Sequence, residues 1–199
     1  MIPRHLIIAV GAMLLLVLML TTYMHHIRTS VAESQAAAAD TRPVSPPVAG
    51  PTEQVTLYVA YDDPGVLHAQ TARISLPAGR QQRAEELLRA LVNIYVDKSS
   101  PHRLASGSEI RNVYLVDPGL AVIDINAALA DGHRSGILVE ELTVASLIES
   151  LAANVAGIDR VLILVEGMNR ETLAGHADLA DSYDVSSVRT MAALLQSGP

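Results

Sequence analysis

The sequence predicts an α/β fold: a small two-layer sandwich with two helices packed on one face of a mixed β-sheet, extended by an N-terminal strand pair and preceded by one transmembrane helix. Three observations carry this reading. Short alternating runs rich in Val, Ile and Tyr read as strands, two longer runs repeat their apolar residues at helical spacing, and the order is strand, strand, helix, hairpin, helix, strand.

The chain begins with its least polar stretch. LIIAVGAMLLLVLMLTTYM, residues 6–24, carries no charge over about the length that crosses a hydrocarbon core. Arg4 and His5 precede it and His25, His26 and Arg28 follow, so residues 1–5 are expected in the cytoplasm by a narrow charge margin. The small residues of VAESQAAAAD would suit a cleaved signal peptide, but the apolar run exceeds a usual signal core, and an uncleaved anchor is expected. Residues 25–54 are dominated by Ala, Pro, Ser and Gly with no persistent period. They read as a flexible linker, extended around Pro43, Pro46, Pro47 and Pro51 and reaching about 30 Å on average.

Residues 55–184 form the predicted domain. VTLYVAY is β-branched and aromatic and stops at DDPG, a turn signal; TARISL alternates before Pro77 and Gly79. RQQRAEELLRALVNIYV sets Ala84, Leu87, Leu88, Leu91 and Tyr95 on one helical face, with Arg83, Glu86, Arg89 and Asn93 away from it. IRNVYLV and LAVIDI, joined by DPG, form a hairpin. A second helix is expected over residues 137–156, burying Leu138, Leu142, Ala145, Ile148, Ala152 and Val155 and keeping Glu140, Glu141 and Glu149 on its wet face. Gly157 suits a left-handed cap, and RVLILVEG reads as a fully buried strand. The tail, residues 185–199, predicts a short helix with Val188, Met191, Leu194 and Leu195 as an apolar edge.

Composition narrows the function. In 199 residues with net charge −7 there is one lysine, Lys98, and no Trp or Phe, so neither a basic phosphate-binding stripe nor aromatic stacking platforms are available to nucleic acid. The absence of cysteine removes disulfides, thiolate metal sites, a thiol nucleophile and lipid acylation together. No Gly-x-Ser-x-Gly elbow, phosphate loop or dinucleotide fingerprint occurs. Asp62 and Asp63 before Pro64-Gly65, and Asp117 before Pro118-Gly119, have the turn role expected of aspartate. Asp124 within VIDI is expected to face solvent.

VTLYVAY, EELLRALV, VYLVDPGLAVIDINAAL, EELTVASLIESLAANVAGIDRVLILVEG and ETLAGHADL run in the order and spacing of the GerMN domain, the module named for bacterial sporulation and germination proteins, which residues 55–183 resemble. In this resemblance Val165, Glu166 and Gly167 match the strand end, Thr172, Leu173 and Gly175 the return, and His176, Asp178 and Leu179 the final signature. The resemblance implies a small α/β fold similar to the ring-building motif of sporulation secretion complexes, no known catalysis, and a role in envelope assemblies; no cofactor is expected. Many family members are lipoproteins and some carry two copies; this chain has no lipid-accepting cysteine and one copy.

The segment ETLAGHADL is the candidate site. A zinc site wants three or four ligands and a recognisable pair such as His-x-x-x-His, which none of the seven histidines supplies. The expected reading is a structural latch, Gly167, Thr172, Leu173, Gly175, His176, Asp178 and Leu179, in which Gly175 adopts an angle other residues avoid and Leu173 and Leu179 pin the return. The function expected is a non-catalytic, single-pass membrane protein whose extracytoplasmic domain makes protein–protein contacts in the bacterial envelope, with homo-oligomers open to it. The alternatives are a peptidoglycan binder or accessory to its hydrolysis, and a metal-dependent hydrolase using His133, His176 and Asp178.

Overall fold

The computed structural model describes residues 51–116 and 118–197. The predicted cytoplasmic residues 1–5, the apolar segment 6–24 and the linker up to residue 50 lie outside the described residues, as does Asp117. Among the described residues no helix is long and apolar enough to cross a membrane.

Strand β1 (Thr52–Tyr61) turns through Asp62–Gly65 into β2 (Val66–Ser75), pairing in antiparallel register from Tyr61 opposite Val66 to Thr52 opposite Ser75. Helix α1 (Arg80–Val96) follows, burying Ala84, Leu87, Leu88, Leu91, Val92 and Tyr95. Strands β3 (Ile110–Val116) and β4 (Leu120–Ile125) form the expected hairpin. A short helix α2 (Ala127–Asp131), capped by the Asn126 side chain, leads to α3 (Ile137–Asn154), β5 (Arg160–Val165), the two-residue β6 (Tyr183–Asp184) and α4 (Val185–Ser197). The sheet order is β3-β4-β5-β6, with β4 and β5 parallel and the outer pairs antiparallel, so the sheet is mixed.

The α/β class holds, but the arrangement departs from one sheet bearing two helices. There are two sheets, since β1 and β2 pair only with each other, and four helices are described. Side chains explain the separation. The β1 groups that face away from β2 are taken by helix residues: Asn154 Oδ1 accepts from Thr56 N at 3.1 Å, Ser150 Oγ from Tyr58 N at 2.8 Å and Tyr95 OH from Ala60 N at 2.8 Å. Asn154 Nδ2 also donates to Thr56 O at 2.7 Å, and Ser146 Oγ to Tyr58 O at 2.5 Å. A ladder capped in this way needs no third strand.

Helix α3 therefore has neighbours on several sides, with β1, α1 and α4 all packed against it. Its burial runs almost unbroken from Leu142 to Leu151. Three expectations fail on this helix. Glu140 and Glu149, assigned to a wet face, are 0% and 2% exposed, while Leu138, assigned to the buried stripe, is 42% exposed. The helix stops at Asn154, Val155 is extended, and Gly157 supplies the positive angle at φ 75°.

Strand β5 is buried on one face only. Val161, Ile163 and Val165 enter the core beside Val113, Ala121 and Ile123, whereas Leu162 and Leu164 are half-buried on the opposite face. The helices cover one side of the four-stranded sheet and not the other, which restores the alternation of a half-covered sheet.

Candidate functional site

The candidate segment is organised by a residue that the helical pattern assigned to solvent. Glu140 lies in the first turn of α3 with its carboxylate turned inward. Oε2 accepts from three backbone N–H groups, of Ala174 at 3.0 Å, His176 at 2.9 Å and Ala177 at 3.0 Å. Oε1 accepts from Gly136 N at 3.1 Å, closing the start of its own helix, and from His176 Nδ1 at 2.9 Å. Burial alone would push this carboxyl up. The hydrogen bonds from the His176 ring and from the N–H groups of Ala177, His176 and Gly136 outweigh burial and hold its pKa down at about 2.

Around that anchor the chain folds back on itself. Thr172 bridges Asp178, Leu173 N donates to Ala177 O at 3.0 Å and Leu179 N to Glu171 O at 2.9 Å. Gly175 stands at the apex with φ 121°. A β-carbon there would meet Ser135 Oγ at an ordinary 3.6 Å, so the demand on this position is conformational and not one of space. Leu173, Ala177 and Leu179 are buried, whereas the His176 side chain is 39% exposed. Asp178 is exposed and spends its carboxylate on Ala180 N at 2.9 Å, and its carbonyl accepts from the Tyr183 hydroxyl. Burial first, then the nearby Asp178, Glu141 and Glu140 carboxylates, push that phenol up to about 12.

Gly167 belongs to a separate turn at the end of β5. It has φ 74°, next to Glu166 at φ 54°, and donates to Asp124 Oδ1 at 2.7 Å. Asp124 is 3% exposed, with Arg111 Nη1 at 3.3 Å from Oδ2, so the expectation of a solvent-facing aspartate is wrong: the turn and the arginine replace its water. Of the predicted site residues, Thr172, Leu173, Gly175, His176, Asp178 and Leu179 share one return loop and Gly167 does not.

His133 does not join His176. Its Nε2 meets Thr143 Oγ1 at 2.7 Å, an oxygen it shares with His102, and among the described residues no three His, Asp or Glu side chains form a group that could hold a metal ion. Sequence reasoning missed Glu140, His102 and Thr143. A glutamate four residues after Gly136 is a recognisable reach-back to a helix start, but nothing local points from it to a loop more than thirty residues on.

A hairpin beside a mixed four-stranded sheet, with its best-made polar site devoted to its own backbone, defines a small α/β module. The chain belongs to the Germane family, described as sporulation and spore germination, whose sequence model matches residues 56–171. That match covers more than half of the chain and bears out the GerMN resemblance; it ends before Thr172, so the return loop is outside it.

One solved structure supports the fold. The tandem GerMN domains of the sporulation protein GerM from Bacillus subtilis superimpose with a TM-score of 0.52 at 18% identity, over 69% of this chain and 48% of that one. This chain thus spans about half of the tandem protein. The first GerMN domain of the same protein aligns over 67% of this chain and 98% of its own at 20% identity, with a TM-score of 0.48. A chain from Clostridium perfringens aligns over 74% and 96% at 14% identity, with a TM-score of 0.45. A search of curated proteins finds no match.

Proposed function

We propose that this chain is a non-catalytic, membrane-anchored GerMN module that makes protein–protein contacts in the bacterial envelope, its domain held outside the cytoplasmic membrane by residues 6–24 and the linker. One observation supports this most. The face of the four-stranded sheet opposite the helices carries Tyr114 and Val116 of β3, Leu120 and Val122 of β4, and Leu162 and Leu164 of β5, the first two 45% and 46% exposed. These side chains lie on one face in register, Tyr114 beside Val122 beside Leu162 and Val116 beside Leu120, with Tyr114 and Val116 exposed and the other four half-buried. A contiguous apolar patch marks a contact surface more often than isolated exposed apolar residues do. In this reading the helix–hairpin–helix–strand unit works as ring-building motifs do, by packing against neighbours, and the Glu140 loop keeps the module rigid.

Site-specific photocrosslinking in the native cell tests this. A crosslinker at Val116 in the full-length chain should capture defined envelope proteins, and one at Gln81 on the exposed side of α1 should not. Equal, diffuse labelling from both positions would contradict the reading. Retention of the chain by purified sacculi, with no protein captured, would favour the peptidoglycan alternative.

A further inference from the structure

A second buried polar cluster lies away from the return loop, and its hydrogens can be counted. His102, from the loop after α1, is 0% exposed; His133, from the loop before α3, is 8% exposed; Thr143 of α3 is 1% exposed. His102 Nδ1 meets Asp62 Oδ1 at 2.7 Å, and His133 Nδ1 meets the Arg134 carbonyl at 2.7 Å. The Arg134 guanidinium pairs with the other oxygen of Asp62. A carbonyl and a carboxylate only accept, so each Nδ1 carries a hydrogen. Both Nε2 atoms then face the same oxygen, Thr143 Oγ1, at 2.7 Å each.

That hydroxyl has one hydrogen and a third, longer contact, the Val139 carbonyl at 3.2 Å, which only accepts. With both rings neutral the hydrogen goes to one Nε2 or to that carbonyl, and in either case at least one Nε2 contact sets lone pair against lone pair. One added proton completes the chain, because one ring donates to Oγ1 while the hydroxyl donates to the other ring. Two added protons would place like charges in rings 6.1 Å apart in a site removed from water. We propose that Asp62, His102, Thr143 and His133 form a proton-binding joint that takes up one proton, at His102, and thereby ties the β1–β2 turn to α3.

The surroundings select His102. Its Nδ1 rests on the Asp62 carboxylate, whereas the Nδ1 of His133 rests on an uncharged carbonyl. The other charged or titratable groups facing the cluster are Arg134 beside both rings, Glu140 of α3 near His133, and Tyr95 of α1, whose ring meets His102 edge-on at 4.9 Å. Burial lowers both imidazoles from 6.5; for His102 the Asp62 hydrogen bond and charge oppose burial, and the His133 and Arg134 charges add to it. The proton therefore enters in acid below the ordinary imidazole range, and at neutral pH the joint is without it.

Nitrogen NMR of the full-length chain in detergent, with 15N-labelled histidine assigned through His102→Gln and His133→Gln, reads each ring nitrogen against pH. The expected result is a single step below 6.5 in which His102 Nε2 becomes protonated while His133 keeps a bare Nε2. In Thr143→Ser the step should persist. In Thr143→Val the position of the His102 step should no longer respond to His133→Gln. Protonation of both rings together while the fold holds, uptake at His133, or two independent steps at the position of free histidine would each overturn the proposal. The wild-type measurement decides the matter even where a Thr143 variant fails to fold.

Discussion

Glu140 and Glu149 lie nine residues apart on one helix, both buried, and their environments act in opposite directions. Glu140 has a hydrogen-bond donor for every direction its carboxylate presents. Glu149 Oε1 has none among the described residues, Arg189 Nε stands 3.7 Å from Oε2, and burial raises the carboxyl despite that arginine. Glu140→Gln places an amide N–H₂ against backbone N–H groups and should cost about 2–4 kcal/mol, whereas Glu149→Gln should leave stability at neutral pH equal or higher. Denaturant midpoints of the two variants at pH 7 check this, and a loss in Glu149→Gln matching that in Glu140→Gln would refute the contrast. On the same loop, Gly175→Val should cost about 1–3 kcal/mol through strain at a positive φ, and His176→Ala less, with no change on adding chelator.

The same groups set the pH response. The folded-state pKa of Glu140 is depressed from 4.5 to about 2, so its contribution is present above 4.5 and is lost as pH falls through that window. Its size is about 3 kcal/mol by the linkage between pKa and stability. His102 and His133 are also depressed, so an earlier loss begins as pH falls below 6.5. Glu149, raised in the fold, contributes oppositely: its share is present below 4.5 and is lost as pH rises through its folded value. An acid titration of unfolding free energy should show the two declines in order, and Glu140→Gln should flatten the lower one selectively.

Among the elements, the β1–β2 hairpin is held by helix side chains where a third strand would otherwise pair, which makes its attachment a side-chain matter. Asn154 both accepts from Thr56 N and donates to Thr56 O, so it imitates a strand partner. Asn154→Ala should cost about 1–3 kcal/mol by leaving both groups unpaired, and should raise amide exchange at Thr56 more than at Leu57, whose N–H faces β2. Uniform exchange changes along β1 would contradict this capping role. Boundaries of α1, β3 and β4 are legible in the sequence because each is a locally periodic run with a glycine or proline at one end, Gly79 before α1, Pro118 after β3 and Gly119 before β4. The burial pattern of α3 is not, because period alone tells how many apolar residues a helix has and not how many sides are occupied. Glu140, Ser146, Glu149 and Ser150 are polar by type and buried by topology. The glycine and flanking leucines of the return loop are visible in the sequence, but the carboxylate that holds them, supplied from a helix far upstream, is not.

At the scale of the whole molecule, the proposed arrangement is an anchor at residues 6–24, a tether at residues 25–54 and a module with an exposed sheet face. The anchor and the tether predict that a reporter active only after export, fused after Tyr183, is active and stays with the membrane; a cytoplasmic signal would reverse the orientation, and a soluble product would mean cleavage. A tether of the proposed kind would raise the concentration of the module near membrane-bound partners without fixing its orientation.

The most direct test of the proposed contact face compares partner capture by four full-length chains in the same cells: wild type, Tyr114→Glu, Val116→Lys and His176→Ala. The two face residues are exposed, so their melting temperatures should stay within a degree or two of wild type, as surface substitutions do. Both face variants should lose capture while His176→Ala retains it. Normal capture by the folded face variants, together with its loss in a folded His176→Ala, would place the binding function in the return loop and contradict the account.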